Sequence, residues 1–268
     1  MKNSLQSIMA DFNQEFLGIE LPEGAVKFDR PAPEVLNAGL ENGTPLISVC
    51  PPKIEADTFF VTLNNVAGLI KKYMPGLAAE TEQIINAMPS QPDARETFIS
   101  RVFTPGTNLL SCLEQDLPPE TLGFLLNHTV KLFMRQYALN AHSLYDSEHW
   151  LKSSCPVCGG RPTLALLEKD TGKRLLYCGM CEVKWRFQRL GCPFCLNGES
   201  EFFTVEGMEK YRVYFCEKCK GYIKTIDGGK TGGKDLNLFW EDINTIQLDI
   251  LAIREGFFSP QAGLPLNT

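Results

Sequence analysis

Along the first 150 residues, apolar positions recur at steps of three and four, the spacing of helices that each bury one face. Leu5, Ile8, Met9, Phe12, Phe16 and Leu17 make the first such stripe. A short helix is predicted over 31–40, with proline near its start and Asn42-Gly43 as its breaker. Pro51-Pro52 interrupts the chain ahead of a longer helical stretch over 55–73, which Pro75-Gly76 ends. A further helix is predicted over 77–88, before Pro89 and Pro92. Another runs through Phe103, where the Asp93 carboxylate can accept from free amides of the first turn. The strongest stripe, Leu122, Leu125, Leu126, Val130, Phe133, Met134, Tyr137 and Leu144, predicts a long helix over 119–144. Proline-punctuated helices with short connections predict an α-helical domain over residues 1–150.

Past this point the period falls to two. Segments 163–167 and 174–177 flank the turn Asp170-Thr171-Gly172, and 201–205 and 211–215 flank Glu206-Gly207, two hairpin signals. Val183, Trp185 and Phe187 alternate with Lys184, Arg186 and Gln188, which predicts a strand buried on one side and linking the two hairpins. Tyr222, Ile223 and Ile226 predict a further short strand. A last helix over 239–255 is expected to pack through Ile243, Ile246, Ile250 and Ile253, and the tail from Ser259 is expected to be loose.

Cysteines sit at the corners of this strand region. Eight of the ten in the chain form four Cys-x-x-Cys pairs: Cys155 with Cys158, Cys178 with Cys181, Cys192 with Cys195, and Cys216 with Cys219. Two intervening residues let the backbone turn into a knuckle whose sulfurs face one centre, and two knuckles supply four thiolates at tetrahedral corners. The order pair, long loop, pair occurs twice, with Cys-Pro-x-Cys opening each copy, so the region reads as one small metal module duplicated. Cys155, Cys158, Cys178 and Cys181 are expected to bind one ion, and Cys192, Cys195, Cys216 and Cys219 another. A partition in which Cys178, Cys181, Cys192 and Cys195 share an ion is sterically open but strands the outer four. Disulfides are the alternative chemistry, disfavoured by a start that does not read as a secretory signal. A thioredoxin-like redox pair would require one such motif between a strand and a helix rather than four among turns.

Composition narrows the function classes. The formal net charge is −6, and residues 152–224 carry 13 Lys plus Arg against 8 Asp plus Glu, or +5, which leaves −11 elsewhere. Four thiolates around a divalent ion carry a net −2, so nearby bases are read as neutralising the sites rather than as a nucleic-acid surface. Trp185 with Arg186 and Arg189 could stack on bases, but is more simply read as roofing a metal knuckle. No apolar run approaches the ~20 residues of a membrane span, and a cytoplasmic location is expected. His128, His142 and His149 are read as surface or capping residues, and Cys50 and Cys112 as small core residues. The stretch from Gly228 to Lys234 is read as a flexible loop that approaches a phosphate-binding loop, but Asp235 stands where a hydroxyl is required. No catalytic constellation stands out, so a non-enzymatic role is expected.

The fold class expected is α+β: a helical domain over 1–150, tetracysteine zinc-ribbon modules over 151–191 and 192–227, and a Gly-rich loop, C-terminal helix and tail over 228–268. Cys155-Pro-Val-Cys158-Gly159 after a long helix, Arg174-Leu-Leu-Tyr-Cys178, Trp185 to Arg189 before Cys192, Cys216-Glu-Lys-Cys219 with Tyr222-Ile223-Lys224, Leu248-Asp249 and Glu255-Gly256-Phe257 resemble the formate dehydrogenase accessory protein (FdhE) family. The resemblance implies a factor needed for active formate dehydrogenase that binds its catalytic subunit before that enzyme is complete. It also implies rubredoxin-like sites in which the eight paired cysteines hold iron, although four sulfurs accept iron or zinc alike. A zinc-ribbon nucleic-acid binder and a rubredoxin-type electron-transfer protein are the competing readings.

Overall fold

The helices begin and end where proline, glycine and capping groups dictate. In a computed structural model of the chain, residues 5–113, 117–232 and 236–259 are described. Helix α1 (Leu5–Leu17) buries Phe12 and Phe16. Two short helices, α2 (Pro33–Glu41) and α3 (Leu46–Val49), follow, and a two-stranded antiparallel pair is made by β1 (Val26–Lys27) and β2 (Lys53–Ile54). Helix α4 (Ala56–Tyr73) starts at Glu55, whose carboxylate accepts from the amides of Asp57 and Thr58 at 3.2 and 2.6 Å.

Three more helices complete this part: α5 (Ala78–Asn86), α6 (Pro92–Val102) and α7 (Pro119–Asn140). The cap expected at Asp93 is not formed. Pro92 takes the first turn, where its missing N–H costs nothing, and Asp93 lies inside the helix behind Gln91. Helix α7 stops at Asn140, and a separate 3-10 turn covers His142–Leu144. The core is aromatic. Phe59, fully buried, has ring centroids of Phe60, Phe98, Phe103 and Phe133 at 5.5, 6.2, 6.0 and 5.4 Å. Burying a side chain of this size contributes about 2–3 kcal/mol.

By contact density the chain forms two compact units. One is Met1–Leu36 with Ile47–His142; the other is Asn37–Leu46 with Ser143–Thr268. The second holds a six-stranded sheet made of β3 (Leu164–Leu167), β4 (Arg174–Tyr177), β5 (Lys184–Phe187), β6 (Glu201–Phe203), β7 (Tyr211–Phe215) and β8 (Tyr222–Asp227). The strand order is β5-β4-β3-β8-β7-β6. Each ribbon is a three-stranded antiparallel meander, and the two are fused where β3 runs parallel to β8, with Leu164 opposite Lys224. Read across the sheet, each ribbon runs third strand, second, first, so the copies follow head to tail. Strand β5 therefore belongs to the first ribbon rather than serving as a free linker. At its outer edge the Arg186 amide donates to the Ser147 carbonyl at 2.8 Å.

The C-terminal segment departs from its predicted form. It is two helices, α8 (Leu238–Asn244) and α9 (Ile246–Arg254), broken at Thr245, whose hydroxyl donates to the Glu241 carbonyl at 2.7 Å. Restarting the helix rotates the apolar stripe: Ile250 and Ile253 are exposed, and Leu248 and Ala252 are buried. These two join Phe257, Tyr222, Ile226 and Leu164 in one core over the sheet. The start of the Gly-rich loop is also packed, since a Cβ on Gly228 would lie 2.4 Å from the Leu167 carbonyl oxygen. Gly233, Lys234, Asp235 and the tail beyond Ser259 lie outside the described residues.

Candidate metal centres

All four Cys-x-x-Cys pairs adopt one backbone geometry. The amide after the second cysteine donates to the carbonyl of the first: Gly159 to Cys155, Glu182 to Cys178, Leu196 to Cys192 and Lys220 to Cys216, at 3.0, 2.9, 3.1 and 2.7 Å. The first cysteine's own amide donates to the carbonyl two residues past the second, at Gly160, Val183, Asn197 and Gly221, at 2.8, 3.0, 2.8 and 3.0 Å. Closing so tight a turn drives the residue after each pair into the left-handed region, with φ of 74°, 62°, 60° and 55° at Gly159, Glu182, Leu196 and Lys220. Glycine relieves that conformation only in the first.

The knuckles then pair across each ribbon. The sulfurs of Cys155, Cys158, Cys178 and Cys181 lie within 4.8 Å of one another, and so do those of Cys192, Cys195, Cys216 and Cys219. Separations are 3.4 Å for Cys155–Cys181 and for Cys158–Cys178, and 3.6 and 3.7 Å for Cys192–Cys219 and Cys195–Cys216. These thiols are unbonded, and a tetrahedron with metal–sulfur bonds of about 2.3 Å has edges of about 3.8 Å. The donor sets therefore fit a four-coordinate ion. The grouping that would join Cys178 and Cys181 to Cys192 and Cys195 is not the one found.

Burial pushes the Cys155 and Cys181 thiols well up, whereas hydrogen bonds from Cys155, Cys158 and Cys181 hold Cys178 well down. At the second cluster burial raises Cys192 and Cys219. Burial acts the same way on Cys216, but hydrogen bonds from the amides of Cys219 and Lys218 and with the Cys195 and Cys219 thiols together hold that thiol down. Protons thus compete unevenly for the sulfurs a cation would take.

Three residues of the first cluster, Cys155, Cys178 and Cys181, are buried and Cys158 is half-buried. Trp150 and Trp185 are buried and donate their indole N–H to the carbonyls of Ser154 and Lys152, at 2.6 and 2.9 Å, pinning the approach to Cys155. Tyr145, half-buried near Cys181 and Cys155, is pushed up to about 12, chiefly by burial. The Leu46 amide donates to the Pro156 carbonyl at 2.8 Å, and a Cβ on Gly159 would meet Pro45 at 3.0 Å. Trp185 is fully buried and so is not available for stacking on bases. The second cluster is more open: Cys195 and Cys219 are half-buried, and Leu190 and Leu196 beside it are exposed.

Two polar groups were not singled out from sequence. Arg174 is buried at the start of β4. One of its terminal nitrogens donates to the Gly191 carbonyl at 2.9 Å, and its guanidinium carbon lies 5.5 Å over the Tyr214 ring. The other terminal nitrogen and Nε have no partner among the described residues. Lys224 on β8 reaches Asp242 Oδ1 and Asp249 Oδ2, both at 2.7 Å, and Tyr222 donates to Asp249 Oδ1 at 2.9 Å. Burial raises the Asp249 carboxyl against the opposing pull of Lys224 and Tyr222. This network latches the C-terminal helices to the sheet. Its signal was the presence of Tyr222-Ile223-Lys224 and Leu248-Asp249 among the motifs that carry the family resemblance.

In the helical unit Cys50 is a core residue that accepts from the Tyr137 hydroxyl through its carbonyl, while the Cys112 side chain lies outside the described residues. His142 is exposed, its Nδ1 2.9 Å from the Leu139 carbonyl oxygen near the end of α7, and His149 pairs with Asp146 at 2.6 Å. His128 is not a surface residue. It packs against the rings of Phe124, Phe16 and Phe12 at 4.1, 5.1 and 5.4 Å, and burial holds its pKa down at about 4. Among the described residues, no helix is long and apolar enough to cross a membrane.

Comparison with known proteins bears on this site directly. Residues 154–189 match the family model described as FdhE, central domain. A protein FdhE homolog of Aquifex aeolicus (strain VF5) is 31% identical over 153 residues, covering 55% of this chain and 53% of that one. One from Shewanella baltica (strain OS185) is 29% identical over 112 residues, covering 40% and 36%. The match thus spans about half the length of the first relative and less of the second. The crystal structure of the FdhE protein from Pseudomonas aeruginosa superposes with a TM-score of 0.61 at 21% identity, covering 98% of this chain and 88% of that one.

Proposed function

We propose, for a chain that belongs to the FdhE family through its cysteine region and shares the FdhE fold, the role of an accessory factor that binds the catalytic subunit of formate dehydrogenase and is needed for its assembly or activity. The observation that carries this reading is the coincidence of sulfur chemistry with family match: Cys155, Cys158, Cys178 and Cys181 all fall within residues 154–189. In this role Cys155, Cys158, Cys178 and Cys181 hold one ion, and Cys192, Cys195, Cys216 and Cys219 hold a second, of iron or zinc. Bound metal would staple each ribbon and, if iron, supply a one-electron couple. The action is non-enzymatic and cytoplasmic. In favour of a non-enzymatic role, the buried Lys224 and Tyr222 are engaged with the half-buried Asp249.

The test is a strain lacking the protein, in which formate dehydrogenase activity should fall, together with recovery of the catalytic subunit on the tagged chain from native extract. Normal activity in that strain would sink the reading. Metal analysis with a visible spectrum on protein purified without air separates coloured iron sites from colourless zinc.

A further inference from the structure

A guanidinium with no access to water and no carboxylate partner demands an explanation. Arg174 is 2% exposed, and its single hydrogen bond among the described residues goes to the Gly191 carbonyl at 2.9 Å. Nε and the second terminal nitrogen have no acceptor there. An isolated buried charge is costly enough that proteins pair it or neutralise it. The surroundings say what pairs it. Gly191 immediately precedes Cys192, and Tyr214, whose ring lies 5.5 Å from the guanidinium carbon, stands two residues before Cys216. Arg174 is therefore wedged between the approaches to two knuckles of the second cluster. The strand that carries it ends at Tyr177, next to Cys178 of the first.

We infer that Arg174, contributed by the first ribbon, is the counter-charge of the second tetracysteine centre, and that it selectively tightens metal binding by Cys192, Cys195, Cys216 and Cys219. This rests on the second cluster holding an ion. Four thiolates around a divalent cation carry a net −2, and a positive charge fixed beside them offsets part of it. Burial lowers the Arg174 pKa to about 10, with Tyr214 and Cys192 acting the other way, so the group remains charged near neutrality. β4 thereby couples the two sites, since the strand that ends in a ligand pair of one supplies the neutralising charge of the other.

The experiment starts from wild-type protein, whose metal content is measured first. A chelator is then added, and the cysteines that become open to alkylation are mapped by peptide mass spectrometry over time. Two ions per chain in the wild type keeps the metal reading; none removes it, and this inference with it. Arg174→Met should weaken retention at Cys192, Cys195, Cys216 and Cys219 by about 10- to 100-fold, the usual effect of removing a group that supports metal ligands, with the first cluster unchanged. Arg174→Lys, which keeps the charge, should restore most of the loss. Arg174→Gln, which keeps an N–H for Gly191, gives the same reading if the methionine variant does not fold. Two metals held as tightly as in the wild type, equal weakening of both clusters, or a lysine variant as weak as the methionine one would each overturn the inference.

Discussion

The two ribbons share a chain path, a knuckle geometry and a sulfur count, yet they shield their sulfurs to different degrees. The first cluster leaves one cysteine, Cys158, half-buried, the buried Trp150 and Trp185 fix the chain leading into it, the segment ending in Pro45 and Leu46 packs on its first knuckle, and the turn after its first pair is relieved by Gly159. The second leaves Cys195 and Cys219 half-buried, sets a non-glycine residue at the same strained position in both of its knuckles, and exposes Leu190 and Leu196. The same donor set thus recurs with one more of its cysteines half-buried in the second ribbon. A shielded site suits a permanent staple, whereas an open one can exchange its ion or meet another protein.

The most damaging way to probe that contrast is to remove ligands. Replacing Cys155 and Cys158 together with Ser should abolish the cooperative unfolding transition of the metal-bearing unit in calorimetry, because apparent structural zinc binding is worth about 10–16 kcal/mol. Replacing Cys195 and Cys219 should leave a transition at lower temperature. Equal losses would erase the distinction between staple and open site.

A smaller effect is expected at the latch on the second ribbon. Lys224→Met leaves the half-buried carboxylates of Asp249 and Asp242 without their cation; breaking a fully buried pair costs about 3–5 kcal/mol, so with both acids partly solvated a loss of about 2 kcal/mol is expected, measurable by urea unfolding. A loss below about 1 kcal/mol would mean the C-terminal helices are held by their apolar face alone.

Acid sharpens the comparison only once the helical unit is accounted for. His128 titrates near 4 when folded and near 6.5 when unfolded, so between those values the unfolded chain binds the extra proton. Its contribution to stability is complete above pH 6.5 and is lost as pH falls towards 4, about 2 kcal/mol of it by pH 5. His128→Phe should flatten that part of the pH dependence. Acid loss that persists unchanged in the variant belongs instead to thiolate protonation.

The finest probe compares equivalent knuckle positions. Gly159→Ala should destabilise by about 1 kcal/mol or more, through its positive φ and the contact with Pro45, while Leu196→Gly should stabilise by about 0.5 kcal/mol. Matching signs in thermal unfolding would mean the two knuckles are not built alike.

Much of this was readable from the chain. Helix positions followed from proline and from apolar spacing because those are local effects, and the four knuckles followed from Cys-x-x-Cys because two residues fix the turn. What escaped was non-local. Nothing in the spacing says that β3 and β8 run parallel and fuse the ribbons, or that residues 37–46 belong with the unit containing the sulfurs. The isoleucine stripe of the last helix misled because Thr245 resets the helical phase, which a periodicity count across 239–255 cannot register. His128 was misplaced for a related reason: its burial depends on Phe12 and Phe16, more than a hundred residues away. The role of Arg174 escaped because the Tyr214 ring comes from the other ribbon and the Gly191 carbonyl from the segment that joins the two.

The joint between β3 and β8 relates the ribbons by a displacement rather than a dyad, and a displacement sets no natural limit on number. The Ser147 carbonyl accepts from the Arg186 amide at one flank, whereas β6 ends the sheet at the other, with no strand beyond it among the described residues. A sheet built in this way lengthens by repeating one step, and β6 is the edge on which the next step would fall.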